Sequence, residues 1–192
     1  MFVAVRPPEA AVEDLDSFLE PRRAEGSFRW VLPEQWHLTL AFLEDVPDRA
    51  LDELVERLQR AARKRSAMDA AIAGGGAFPN AGRAKVLWAG FDLAERDREE
   101  LRRLATGCRA AAAKSGIDPG GQHQGRKFRA HLTLARTGHP IEATRWVRLL
   151  DGYRGPAWQV GEIALVASYL GEGPRNRPRH ETVQTFPLST AA

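Results

Sequence analysis

The sequence predicts an α+β fold built as two lobes. Three observations carry that prediction. Short apolar strand patterns and amphipathic helix patterns are interspersed along both halves of the 192 residues. The run His37-Leu38-Thr39-Leu40-Ala41 returns as His131-Leu132-Thr133-Leu134-Ala135 about half the chain length later. No linker-like stretch separates the halves, so one domain over 1–192 is expected, with motifs at 37–40 and 131–134 marking interleaved lobes.

The elements follow in order. Residues 2–5 form a short apolar strand that Pro7-Pro8 ends, and 9–23 read as a helix with Ala11, Leu15, Phe18 and Leu19 on one face. Residues 30–43 alternate around a turn at Pro33 and contain a strand. The clearest helix is 47–64, where Leu51, Leu54, Val55 and Leu58 make an apolar stripe among charges. A strand is expected at 68–73, then a loop at Gly74-Gly75-Gly76 and a turn at Pro79-Asn80. A strand at 85–91 precedes a second long amphipathic helix at 95–114. A polar, basic loop over 116–127 leads into a strand at 128–136, and 144–150 is a short helix. The last strands are read at 161–170 and 182–188, joined by an arginine-proline loop at 174–179.

Composition excludes several classes. The longest apolar run, 163–167, is strand-sized and far below the ~18 residues of a membrane span. Residues 1–6 lack the basic start and apolar core of a secretion signal. A lone cysteine, Cys108, excludes an internal disulfide and a multi-cysteine zinc site; it reads as packing within the second long helix. A cytoplasmic, monomeric protein without membrane contact is therefore expected. Net charge is only +3, but nearly all cations are arginine. Arginine's planar fork suits phosphate, yet coding bias and solvated helix faces explain the same excess, so charge alone is weak support for a phosphate-bearing partner.

The repeat carries the chemistry. Successive side chains in a strand point to opposite faces, so His37 and Thr39 share one face while Leu38 and Leu40 anchor the other. His131 and Thr133 repeat the arrangement against Leu132 and Leu134. If the lobes face each other, two imidazoles and two hydroxyls converge on one cleft. Histidine titrates near pH ~6.5, so one ring can accept a proton while its partner donates one. Threonine hydroxyls can donate to non-bridging phosphate oxygens. A single His-x-Thr strand is usually an ordinary sheet segment; two identical copies reverse that reading. No His-Glu-x-x-His pattern or cysteine pair supports zinc, so chemistry without metal or other cofactor is expected.

These residues resemble the two-histidine (2H) phosphoesterase superfamily, marked by two His-x-Thr/Ser motifs on facing lobes. More narrowly, the chain resembles the RNA 2′,3′-cyclic phosphodiesterases, historically called 2′-5′ RNA ligases. The match includes Phe2-Val3-Ala4-Val5 before Pro-Pro, the segments 37–43 and 128–136, Val86-Leu87-Trp88-Ala89-Gly90 and the late strand 163–169. The resemblance implies two antiparallel sheets related by a pseudo-two-fold, facing across a central groove with helices outside. It implies hydrolysis of a terminal 2′,3′-cyclic phosphate to a 2′-phosphomonoester, with RNA or a nucleotide bearing that end as partner. Carried over, His37 is the proton donor, His131 the proton acceptor, and Thr39 and Thr133 hold the phosphate. Arg136 matches a phosphate-side arginine, and Phe42 an aromatic that packs on the terminal base.

Ala130 stands where the family commonly has proline, and Lys85 where arginine is usual, which keeps the charge but loses the fork. Trp36 is read as core, with a stacking surface at the cleft rim as the alternative. Arg126, Lys127 and Arg129 either track an RNA backbone or belong to a solvated loop. Arg175, Arg177 and Arg179 form a lid or a hairpin tip. Ligation of 2′-5′ linkages uses the same site in reverse, and a binding module that had lost catalysis would be expected to have lost a histidine.

Overall fold

The computed structural model describes residues 1–26, 28–120, 128–173 and 177–190. Among the described residues, nine strands and four α-helices are interspersed: β1 (Phe2–Val5), α1 (Glu9–Leu19), β2 (Arg29–Trp30), β3 (Leu38–Phe42), α2 (Asp48–Arg63), β4 (Met68–Phe78), β5 (Ala84–Asp92), α3 (Glu95–Lys114), β6 (Leu132–Ile141), α4 (Thr144–Asp151), β7 (Arg154–Val160), β8 (Glu162–Gly173) and β9 (Arg177–Pro187). All strand pairings are antiparallel. The sheet order is β7-β4-β5-β6-β3-β1-β8-β9, with β2 on the edge of β6 beyond β3.

That order reads as two four-stranded halves, β7-β4-β5-β6 and β3-β1-β8-β9, related by exchange of β6 with β3. They meet at one residue pair, Leu38 opposite Leu132. The two expected sheets are thus halves of one sheet, and the seam between them runs through both motifs. The helices cover one face. Leu54, Leu58, Leu101 and Leu104 of α2 and α3 bury against Val3, Leu38, Leu40, Leu165 and Phe186. Leu15 and Leu19 of α1 and Leu150 of α4 bury against Ile72, Leu87, Leu132 and Leu134. Since α1 follows β1 yet packs on the other half, the halves are interleaved.

Local differences from the sequence reading have identifiable causes. The first helix stops at Leu19 and tightens into a 3₁₀ segment, Glu20–Glu25, because Pro21 has no N–H for the α ladder. The Gly74-Gly75-Gly76 loop is instead part of β4, which runs on to Phe78. Gly74 has a positive φ of 65°, and the other two are required by close packing: a Cβ on Gly75 would lie 2.6 Å from Leu150 Cβ, and one on Gly76 would lie 2.2 Å from Trp88 Cζ2. The expected strand at 128–136 begins at Leu132 and continues to Ile141, paired with Ala84. Of the expected arginine-proline loop, Arg177 and Arg179 belong to β9, and Arg175 lies outside the described residues. Strand β7 has no counterpart in the sequence reading; it is an edge strand, which is where its Pro156 is tolerated. Cys108 is buried in α3, and burial pushes its thiol up to about 12, so it is packing. Trp36 is core, only 2% exposed.

Candidate active site

The motif strands are locally alike beyond their sequence. Pairing of β1 with β3 steps from Val3↔Ala41 to Ala4↔Thr39, leaving Leu40 as an extra residue. Pairing of β5 with β6 steps from Leu87↔Ala135 to Trp88↔Thr133, leaving Leu134 as an extra residue. Each motif therefore carries a bulge at its second leucine. A bulge resets alternation, so the residue after it stays on the core side and the next returns to the other face. Ala41 and Ala135 are buried with their leucines, and Phe42 and Arg136 emerge exposed at matching positions. Phe42 lies opposite Phe2, and Arg136 opposite Val86, on the face that carries the histidines.

The imidazoles are held in the same way. His37 Nδ1 lies 2.7 Å from the carbonyl of Gln35, and His131 Nδ1 lies 2.8 Å from the carbonyl of Arg129. A carbonyl only accepts, so in each ring Nδ1 carries the hydrogen, leaving Nε2 as the atom that gains or loses a proton. Because Leu38 and Leu132 are opposed in antiparallel register, each motif's histidine runs toward the other motif's threonine. Thr39 and Thr133 are half-buried beside them. The site is thus formed by residues of both halves.

Their surroundings differ. The His37 ring stacks on Phe2 at 4.4 Å between centroids and meets His180 edge-on at 5.6 Å. Burial holds His37 down to about 4; the Gln35 carbonyl opposes this, while His180, Arg6 and His131 reinforce it. His180 is also lowered, by burial and by Arg6. Arg6 donates to Thr182 Oγ1 at 3.0 Å. His131 instead meets the edges of Phe78 at 5.1 Å and Trp88 at 6.1 Å. The Arg129 guanidinium lies over Trp88, 5.0 Å from the ring centre. Lys127, expected beside it, lies outside the described residues. Among the described residues, no three of His, Cys, Asp and Glu are grouped so as to hold a metal ion.

Residues 5–88 match the family model of LigT-like phosphoesterases. The RNA 2′,3′-cyclic phosphodiesterase of Thermus thermophilus is 34% identical over 175 residues, covering 88% of this chain and 82% of that protein. The chain belongs to the LigT-like phosphoesterase family. A second relative, the RNA 2′,3′-cyclic phosphodiesterase of Geobacillus stearothermophilus, is 29% identical over 97% of this chain, which spans 56% of that protein's length. Among solved structures, TT0787 of Thermus thermophilus superposes with TM-score 0.72 at 30% identity, covering 97% of this chain and 96% of that one. E. coli LigT complexed with 3′-AMP gives TM-score 0.75 at 25% identity, covering 98% and 97%. The fold is that of the LigT-like phosphoesterases.

The structure brings His37, His131, Thr39, Thr133, Arg136 and Phe42 to one face of the sheet, with Arg129 on its flank. Phe2, His180, Phe78 and Trp88 were missed. Phe2 and Trp88 were visible only as strand residues, and nothing in the sequence ties Phe78 or His180 to either motif. Phe2 and Trp88 arrive on β1 and β5, directly beside the motif strands, whereas Phe78 comes from β4, one strand further out, and His180 from β9, two strands further out. No helix of the described residues is long and apolar enough to cross a membrane.

Proposed function

We propose that the protein hydrolyses the terminal 2′,3′-cyclic phosphate of RNA to a 2′-phosphomonoester by acid–base catalysis between two histidines. The observation that supports this most directly is the matched pair of rings, each held with Nδ1 on the carbonyl of the residue two before it. His131 Nε2 takes a proton from water as the water oxygen attacks phosphorus opposite the P–O3′ bond. That bond breaks, and His37 Nε2–H protonates the departing O3′. Thr39 and Thr133 donate to the non-bridging oxygens, Arg136 balances their charge, and Phe42 stacks on the terminal base, with Arg129 and Lys127 on the approaching chain. The pair needs no metal, because one proton transfer ends on an imidazole and the other starts from one.

One observation favours exchanging the roles. His37 is held near 4, so at neutral pH it is unprotonated in the free protein and poised to accept. A substrate phosphate placed between the rings opposes that shift, because a nearby negative charge favours the imidazolium.

The test is turnover of a cyclic-phosphate oligonucleotide in EDTA by wild type, His37→Ala and His131→Ala. Each substitution is expected to cost about 10²–10⁴ in kcat, the usual worth of a positioned acid or base. Full activity in either variant rejects the pairing. A 4-nitrophenyl phosphodiester, whose leaving group needs no proton, assigns the roles: the acid's variant loses least on it. A parallel 2′-5′-linked oligonucleotide and a cyclic mononucleotide define the substrate. Binding without turnover identifies a non-catalytic module.

A further inference from the structure

A cavity of about 610 Å³ lies where β2 approaches the start of β9. It is lined by Arg23, Phe28–Pro33 and Arg177. Its chemistry is one-sided. Five buried side-chain nitrogens have no hydrogen-bond partner among the described residues, and three of them, Arg23 Nε, Trp30 Nε1 and Arg177 Nη1, belong to residues lining this cavity. All are donors. Buried donors left unpaired are costly, each forfeiting a hydrogen bond that water would have supplied.

The cavity wall is cationic and partly aromatic. Three guanidinium groups, Arg23, Arg29 and Arg177, line the cavity and no carboxylate does. Arg23 is already paired with Asp16, while Arg29 and Arg177 have no ion pair among the described residues. Phe28 and Trp30 supply aromatic surface, their ring centres 5.5 Å apart, and Val31 and Leu32 supply apolar wall. Phosphate oxygens, ribose and base acceptors, and a π-face are together the chemistry of a nucleotide.

The cavity is tied to the catalytic pair. Pro33 lines it, and the four residues from Pro33 to His37 span at most about 14 Å. Gln35, midway, holds the His37 ring through its carbonyl and donates its side-chain amide to the Pro178 carbonyl at 2.6 Å, next to Arg177. Arg29 lies directly across the strand pair from Arg136.

We propose that this cavity is a second nucleotide subsite, taking the nucleotide on the 5′ side of the cyclic end, with its phosphodiester on Arg29 and Arg177 and its base against Trp30. The assignment rests on the function proposed above. It makes the enzyme selective for an RNA chain over a cyclic mononucleotide.

The experiment compares kcat/KM for adenosine 2′,3′-cyclic phosphate and for the dinucleotide ApA ending in the same cyclic phosphate. Wild type is expected to prefer the dinucleotide at least tenfold, mainly through KM. Arg177→Gln and Arg29→Gln, each checked for native circular dichroism, are expected to reduce that preference at least tenfold. A wild-type ratio near one, or a ratio unchanged in both variants, overturns the subsite; so does an equal loss on both substrates. Tryptophan-fluorescence titration with plain ApA adds a readout independent of turnover. Saturable quenching is expected, weakened at least tenfold in the double variant R29Q/R177Q, and its absence overturns the subsite. If wild type turns over neither cyclic substrate, the proposed function fails, and the ApA titration still decides the subsite.

Discussion

A histidine stacked face-on against Phe2, with a second histidine at its edge and Arg6 nearby, resists taking a proton. The consequence reaches stability. The unfolded chain protonates His37 near pH ~6.5 and the native protein only near 4, so between these values the unfolded state binds more protons. Unfolding free energy therefore rises with pH across this window and falls as the solution is acidified from 6.5 toward 4. The expected loss from His37 between pH 7 and pH 4.5 is about 2 kcal/mol, with His180 adding in the same direction. Urea unfolding at the two pH values measures it, and His37→Gln should remove its part; an unchanged difference in that variant would refute the assignment. At this scale the sequence was most legible where chemistry sits on adjacent residues: His37, Thr39, His131 and Thr133 came from one repeated string. The rings around them did not, because Phe2, Phe78, Trp88 and His180 reach the motifs only through strand pairing.

Two bulges decide what the motif strands present. Strict alternation from His37 would turn Phe42 toward the helices, and from His131 would do the same to Arg136. Their placement on the groove face depends on Leu40 and Leu134 taking the extra position. Periodicity alone does not reveal a bulge, so the resemblance placed these two residues where the pattern could not. The glycines of β4 show the same blindness. Gly-Gly-Gly looks like a loop, but Gly76 lies opposite Trp88 and leaves room for its ring, which in turn packs against His131. Gly76→Ala puts a methyl carbon 2.2 Å from that ring, so Trp88 must move. Overpacking of this kind costs about 1–3 kcal/mol. Displacing Trp88 also releases one wall of the His131 site, so kcat should fall together with the thermal midpoint. A variant equally stable and equally active would show that the ring does not depend on the glycine.

The arginine excess is largely a surface property. Arg57, Arg60, Arg98, Arg102 and Arg103 each pair with a glutamate three or four residues away on α2 or α3. Such exposed pairs contribute little and describe solvated helix faces, whereas Arg6, Arg129 and Arg136 lie near the two histidines. The repeat, in contrast, pointed to two halves, and the structure places one motif strand on each side of the pair that joins them. What it did not convey is how firmly the halves are joined. The direct strand contact is one pair, Leu38 with Leu132, as if they could part easily. The connections argue otherwise. Helix α1 leaves the β1 half to bury Leu15 and Leu19 against the other, and Met68 and Ala70 of β4 bury in the α2–α3 core. Unfolding should therefore be a single transition, and the distribution of tryptophans makes this measurable. Trp88 and Trp158 lie in β5 and β7, and Trp30, Trp36 and Trp146 pack against the same half. Fluorescence thus reports the β4–β7 half, whereas far-ultraviolet circular dichroism reports both. Coincident urea curves from the two probes are expected, since two-state unfolding requires different probes to agree. A circular-dichroism transition displaced from the fluorescence one would mean that the halves melt separately and that the seam alone holds the two histidines in register.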